Sequence, residues 1–404
     1  MTESKTPKWL IDVQQKSWEP EILISGITLT FIFILSKHVY NFFGMLVQDY
    51  AVTGALAYGS YIISVFVFTG LKIILVIHLI LRGLWTGFVG LSYVFPDGVK
   101  KEKLSLKMRQ VEFDKPEKFV IKLEEICSLL FSFTFSSVMV ILSFALMWIP
   151  MILLFIVGLD PEIIRIVILF LIIPVGIILG VYLIITDKRR KYTKTKQKTN
   201  NFIFSNLLKT YATNLGKLKT GFIFISYFLV IFLISFSDIT RFDFSNKKGR
   251  KISSLNNITS LNKNQYDELR DQDLRIPKAA IDKFQIRDNK IELFIGYYKE
   301  DLFTIKKLEE KSELKKEFEI VPDSSGVKLT DLLKLNIDGE NVSGLNWYII
   351  NKVETDQKVL TTDIPVENIS AGYHELKINK VYWSVNKKKM LLIENWDIIP
   401  FEKE

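Results

Sequence analysis

Long apolar stretches constrain the fold of this chain more than any other feature of its sequence. A hydrocarbon core about 30 Å thick needs roughly 20 apolar helical residues to cross it. Five stretches qualify, at 22–43, 52–71, 129–157, 163–185 and 221–237. The first follows a polar tail and precedes no small-residue cleavage site, which indicates a retained span and not a removed signal peptide. The sequence therefore predicts a polytopic α-helical membrane protein.

The placement of lysine and arginine predicts the orientation of these spans. From residue 239 onward 28 basic residues face 28 acidic ones, so the net charge of +9 arises in the first 238 residues. Basic residues crowd the segments 1–20, 96–126 and 187–220, whereas the connections 44–51 and 158–162 hold none. Because basic connections stay in the cytoplasm, we expect a cytoplasmic N-terminus and an extracytoplasmic C-terminal region. A smaller basic cluster at 241–251 opposes this orientation but is outnumbered.

Residues 73–95 are apolar enough to span, yet a sixth span here would place the lysine-rich segment 96–126 outside. We therefore expect an interfacial or re-entrant segment, or a long continuation of the second span. Trp85 and Tyr93 suit an interfacial position, and the Pro96-Asp97-Gly98 sequence ends the element.

The sequence changes character after residue 239. Alternating apolar and polar residues predict strands at 290–298, 332–337, 345–350, 373–383 and 390–396. Asp338-Gly339 predicts a tight hairpin turn, and residues 305–319 suggest a charged helix or a long hairpin. About seven short strands with regular turns are typical of an immunoglobulin-like β-sandwich, for which Trp347, Trp383 and Trp396 are natural core anchors.

The predicted fold class is a membrane bundle of about five transmembrane helices with a C-terminal all-β, immunoglobulin-like sandwich domain. The expected segments are a cytoplasmic tail 1–20, two spans plus the interfacial segment 21–95, a basic loop 96–126, a transmembrane hairpin 127–186, a second basic loop 187–220, a fifth span 221–238, a linker 239–283 with a short helix near 263–273, and the sandwich 284–404.

Ionisable residues within apolar helices are the first functional candidates. His78 and Arg82 are four residues apart and share a helix face with Lys72. Such a face could meet lipid head groups at the interface, or bind a lipid phosphate or a partner carboxylate if it is buried. Lys37 and His38 lie toward the outer end of the first span. There the Lys37 side chain can snorkel to the head groups, or the two residues can belong to an intramembrane polar path.

Small residues at four-residue spacing are candidate helix-packing positions. They are Ala55 with Gly59, Gly83 with Gly87, and Gly176 with Gly180. Packing within the chain is the simpler interpretation, and contact with another membrane subunit is the alternative. Pro150 and Pro174 are expected to kink neighbouring spans.

The sequence offers no recognisable enzyme signature. It holds one cysteine and three histidines, and it lacks a metal-binding HExxH, a GxSxG elbow and a phosphate-binding loop. His374 alternates with hydrophobic residues, as expected of a half-buried strand residue. We expect no enzyme activity, cofactor, metal or nucleic-acid partner.

Two functions follow from this elimination. The preferred one is an anchoring or accessory subunit of a bacterial cell-envelope assembly in the inner membrane, whose external domain binds a protein or glycan partner. Its partners would be anionic lipid head groups and other membrane or periplasmic proteins. The alternative is a transporter or channel with a polar path through the helices.

Overall fold

The computed structural model describes residues 18–134, 210–246, 261–322, 326–384 and 387–404, with Gly249 and the short segments 254–255 and 258–259. These residues form two units. The first contains 18–38, 63–134 and 210–237, and the second contains 39–62 and the residues from 238 onward. The predicted span 163–185, most of 129–157, Gly176, Gly180, Pro150 and Pro174 lie outside the described residues.

The N-terminal part is helical. Helix α1 covers Trp18–Gln48, α2 covers Gly54–Val94, α3 includes residues 116–134, and α4 covers Lys217–Arg241. Three of them, namely Glu19–Gln48, Gly54–Val94 and Lys217–Arg241, are long and apolar enough to cross a membrane, with mean hydropathies of 1.8, 2.4 and 2.3. They correspond to the predicted spans 22–43, 52–71 and 221–237, and they indicate a membrane protein.

Residues 73–94 belong to helix α2, the helix that contains the second predicted span. It is one unbroken helix of 41 residues, which is roughly 60 Å long at 1.5 Å per residue. Residues 73–94 therefore continue the second helix without a break, and their position relative to the membrane stays a prediction. The helix ends before Pro96 and Gly98, whose φ is +71°.

The C-terminal region is all-β with two sheets and two short helices. Helices α5 and α6 cover Asp301–Glu310 and Ser312–Glu317. A separate hairpin consists of β1 Ser254–Leu255 and β2 Ile258–Thr259, and the remaining strands are β3 Ala279–Ile281, β4 Gln285–Ile286, β5 Lys290–Gly296, β6 Leu333–Ile337, β7 Glu340–Val342, β8 Trp347–Lys352, β9 Gln357–Pro365, β10 Gly372–Ser384 and β11 Lys389–Lys403. The five-stranded sheet has the order β4-β11-β10-β6-β7, and the four-stranded sheet has the order β3-β5-β9-β8. Neighbouring strands are antiparallel except β4 and β11, which are parallel.

All five predicted strands are present, and 305–319 is helical for most of its length. Asp338 and Gly339 form the turn between β6 and β7, and both have positive φ, +51° and +95°. Of the three predicted anchors only Trp396 is fully buried, whereas Trp383 is partly buried against a cluster around Leu308 and Val381. Trp347 is partly exposed on β8.

The interpretation of 239–283 as a linker is wrong. Strand β3 lies in the four-stranded sheet, and Phe242, Phe244 and Tyr266 are buried. The predicted helix at 263–273 is also wrong, since only the 3₁₀ turn Lys263–Gln265 forms. After that turn the Arg270 guanidinium donates to Asp267 Oδ1 and to the Leu274 carbonyl, so it holds the chain in successive turns.

Two glycines of α1 and α2 differ sharply in their surroundings. A Cβ placed on Gly44 would lie 2.5 Å from Cζ of the buried Phe244, whereas Gly59 has no heavy atom of the described residues within 4 Å. We expect Gly44→Ala to cost about 1–3 kcal/mol through overpacking. Gly59→Ala, the matched control, should gain up to about 1 kcal/mol from helix propensity. Thermal unfolding in mild detergent measures both, and equal changes would contradict this packing.

His374 on β10 binds the turn between β6 and β7. Its Nδ1 lies 2.5 Å from Asp338 Oδ2, and its Nε2 lies 2.8 Å from the Ser370 carbonyl. The bond to Asp338 raises the pKa of His374. Burial alone would raise the pKa of Asp338, but the bonds from His374 and from the Glu375 N–H outweigh it and lower that pKa.

These opposite pKa shifts predict a pH-dependent contribution to stability. The raised pKa of His374 gives stability that is complete below its unfolded pKa of about 6.5 and is lost as pH rises through the folded pKa. The Asp338 contribution is lost only as pH falls through that carboxyl's lowered pKa. We therefore expect Asp338→Asn, which tolerates positive φ, to cost up to about 1 kcal/mol at about pH 5.5 and much less at about pH 9. A thermal unfolding difference that is the same at both pH values would contradict the pairing.

Candidate functional site

Three arrangements in the described residues could serve a function: a buried charge cluster in the first unit, a helix-to-sheet contact in the second unit, and a groove beside strand β8. The first contains residues that the sequence singled out. The other two were not predicted. Within the described residues no three His, Cys, Asp or Glu side chains are placed to hold a metal ion.

The buried charge cluster is centred on Arg82. Its Nη2 lies 2.5 Å from Glu21 Oε2, and its guanidinium contacts both oxygens of Glu124 at 2.6 and 3.2 Å. The Arg82 side chain is 1% exposed and lies 5.0 Å from the centre of the Trp85 ring. Arg82 on α2 therefore joins α1, which holds Glu21, to α3, which holds Glu124.

His78 lies one helical turn before Arg82 and is fully buried. Its Nδ1 is 3.0 Å from Ser25 Oγ, and its Nε2 is 3.8 Å from Glu21 Oε2. Its ring lies 5.5 Å from that of Phe131. His78 and Arg82 both lie near Glu21, so they share one face of α2, and the carboxylates that this face meets belong to the chain itself. Binding of a lipid phosphate or a partner at this face stays a prediction.

The other predicted polar residues are elsewhere. Lys72 is partly exposed and its Nζ lies 5.1 Å from the centre of the Phe33 ring. Lys37 and His38 are exposed on α1. The pairing of Glu21 and Glu124 with Arg82 could not be predicted from sequence spacing, because the two residues are 61 and 42 positions from Arg82.

The predicted packing glycines do not pack within the described part of the chain. Gly59, Gly83 and Gly87 have no heavy atom within 4 Å of an added Cβ, and Ala55 is exposed. Close approach occurs instead at Gly44, against Phe244, and at Gly70, where an added Cβ would lie 2.5 Å from the Tyr227 hydroxyl. Contact of the predicted positions with another subunit stays a prediction.

The turn between α1 and α2 contacts the C-terminal region within the second unit. Arg275, whose side chain is 2% exposed, donates to Asp49 Oδ2 at 2.6 Å and to Gln48 Oε1 at 3.3 Å. The Gln48 amide donates to the Ile276 carbonyl at 2.9 Å and accepts from Gln357 Nε2 at 3.0 Å. The helix ends and the four-stranded sheet therefore share a buried hydrogen-bond network.

Residues 242–246 strengthen this contact. The rings of Phe242 and Tyr61 stack at 4.4 Å, and Phe244 lies 5.1 Å from Tyr40. Asn246 accepts from Lys380 at 2.7 Å through its side chain and from the Trp396 indole at 3.0 Å through its carbonyl. The segment that follows α4 is thus held by both the α1–α2 end and strand β10, and it does not act as a tether.

The groove lies where both sheets end. Strands β7 and β8 are edge strands of their respective sheets. Beside them is a cavity of about 1020 Å³ whose lining mixes polar and apolar residues, the apolar ones including Leu302, Leu335, Val342, Trp347, Ile349 and Leu360. On β8 itself Tyr348 is 64% exposed and Ile349 is 63% exposed. Edge strands that face water are normally protected by charge, proline or bulges, and the first four residues of β8 have none of these.

Comparison with models of protein families, with curated proteins and with solved structures gives no match.

Proposed function

We propose that this chain is a non-enzymatic anchoring or accessory subunit of a bacterial cell-envelope assembly in the inner membrane. Its C-terminal region, which we propose to be an immunoglobulin-like sandwich, binds a protein or glycan partner outside the cytoplasm. The observation that carries this proposal is the exposed apolar edge of β8 beside an open groove. Tyr348, Ile349 and Ile350 are consecutive and exposed, and contiguous exposed apolar residues are a feature of interaction sites.

The contact of Arg275 with Gln48 and Asp49 supports the proposed arrangement in the membrane. It places the turn between the first two spans beside the C-terminal region. The basic-residue rule puts that turn outside the cytoplasm, because residues 44–51 contain no lysine or arginine. The same rule, applied to five spans, puts the C-terminal region outside as well, so the two assignments agree.

The way in which the C-terminal region is held at the turn between α1 and α2 also favours a role in binding a partner. A domain on a flexible tether loses orientational entropy when it binds, whereas a fixed domain presents its surface already oriented. The buried network around Gln48 and the aromatic contacts of Phe242 and Phe244 supply such a fixed attachment.

In-cell photo-crosslinking tests the proposed binding surface. A photoreactive residue in place of Ile349 should form an adduct with a partner. The matched control replaces Arg287, which follows β4, the edge strand farthest from β7 in its sheet. We expect adducts from position 349 and few from position 287. No adduct from position 349, or equal adducts from both, would contradict the proposal.

A transporter or channel is the second candidate, and the buried cluster of Glu21, His78, Arg82 and Glu124 favours it. Ionisable residues inside helical membrane proteins often mark ion or proton pathways. Flux into liposomes that contain the full chain should then fall at least tenfold in His78→Ala. Unchanged flux in that variant would exclude this pathway.

A further inference from the structure

We infer that the partner surface is a β-augmentation site, at which an extended apolar segment of a partner protein pairs with β8 and fills the adjoining groove. The inference rests on the proposed function and deepens it, because it identifies the chemistry of the partner and its mode of binding.

The backbone of β8 is the first argument. Its six residues, Trp347 to Lys352, pair with β9 on one side only. Among the described residues no strand pairs with the other side. In an antiparallel strand alternate N–H and C=O groups point away from the neighbouring strand. Only an extended polypeptide carries donors and acceptors at the matching spacing, which favours a peptide over a glycan or a lipid.

The side chains of β8 supply the second argument. Trp347, Tyr348 and Ile349 all line the groove. Because alternate residues of a strand point to opposite faces, Trp347 and Ile349 share one face of β8, and Tyr348 and Ile350 share the other. An added strand would therefore find apolar neighbours on both of its faces. Its alternate side chains would meet Leu335, Val342 and Leu360 in the groove.

The charges at the groove define the occupant further. Its charged lining residues carry both signs: Lys328 and Lys334 are basic, and Glu319 and Asp331 are acidic. Lys334 already pairs with Glu319 at 3.3 Å, and the Asp331 carboxylate accepts from the Lys328 backbone N–H at 2.7 Å. Two positive and two negative side chains leave the lining with no net charge, so the matching occupant is an uncharged apolar segment. A strand paired with all six residues of β8 would be roughly 20 Å long.

Peptide display on the full chain in lipid nanodiscs tests this inference. The probe is a library of random twelve-residue peptides. We expect the enriched peptides to be uncharged and mostly apolar, and to protect the amides of residues 347–352 from hydrogen exchange. Ile349→Lys should weaken their binding at least tenfold, whereas the control Val353→Lys, at an 88% exposed position after the strand, should change it less than twofold.

Backbone methylation separates strand addition from simple apolar docking. An enriched peptide methylated on alternate amides that face β8 should lose binding, whereas methylation of the intervening amides should preserve it. No enriched peptide, protection elsewhere in the domain, or equal effects of the two methylation patterns would overturn the inference. Adducts at position 349 in cells would still support the proposed function in that case, so the two failures are distinguishable.

Discussion

Replacing Arg82 with methionine is expected to lower the free energy of unfolding by about 3 kcal/mol, the low end of the range for breaking a buried ion pair. The substitution leaves Glu21, whose side chain is 9% exposed, without its partner at 2.5 Å. The estimate is at the low end because the Glu124 side chain is 36% exposed and regains some hydration. Thermal unfolding of the purified protein in mild detergent measures the loss.

The triple variant Glu21→Gln, Arg82→Met, Glu124→Gln is the informative control. It removes all three charges, so most of the lost stability should return. Lys118→Ala breaks an exposed pair with Asp114 and should cost well under about 1 kcal/mol. If the triple variant were no more stable than the single one, the cost would come from lost packing and not from unpaired charge.

Replacing Lys380 with methionine is expected to destabilise the C-terminal region by about 3 kcal/mol. The Lys380 ammonium is 2.7 Å from Asp301 Oδ2 and 2.7 Å from Asn246 Oδ1, and it lies 4.5 Å from the centre of the Trp396 ring. Both Lys380 and Asp301 are buried, with side chains 2% and 8% exposed. In the variant the Asp301 carboxylate loses the ammonium and keeps the hydrogen bond that the Asn246 amide donates to its Oδ1 at 3.0 Å.

Tryptophan fluorescence during denaturant unfolding reports this loss directly, because Trp396 is part of the cluster. The double variant Asp301→Asn, Lys380→Met should recover most of the stability. Lys290→Met is the matched control, since its pair with Asp363 is exposed and should contribute less than about 1 kcal/mol. Equal losses from Lys290→Met and Lys380→Met would contradict the account of the buried pair.

Periodicity and turn chemistry predicted the local elements well. The helices at 22–43, 52–71 and 221–237 are each a single apolar run, and the strands around Asp338-Gly339 alternate clearly. Strand β9 was missed, although Val359 to Thr362 is buried throughout. It carries a continuous buried run followed by Pro365, which obscures the period of two that marks a half-exposed strand.

Contacts between distant residues could not be predicted in the same way. Arg275 and Gln48 are separated by 227 positions, and Lys380 and Asn246 by 134. Nothing local marks Asn246 as a buried ligand, because its neighbours Lys247, Lys248 and Arg250 give that stretch the composition of a linker. The pairing of Arg82 with Glu21 and Glu124 was hidden for the same reason: propensity and periodicity describe one element at a time.

The central claim is that the C-terminal region lies outside the cytoplasm and presents β8 there. Cysteine labelling of bacterial spheroplasts with a membrane-impermeant maleimide tests it most directly. Cys127 is the only cysteine of the chain, so Cys127→Ser gives a background without thiols. In that background Val353→Cys, at an 88% exposed position beside β8, and Leu106→Cys, at a 79% exposed position in the basic segment 96–126, form a matched pair. The account predicts that position 353 is labelled in intact spheroplasts and position 106 only after permeabilisation. Labelling of position 106 but not 353 in intact spheroplasts would contradict it.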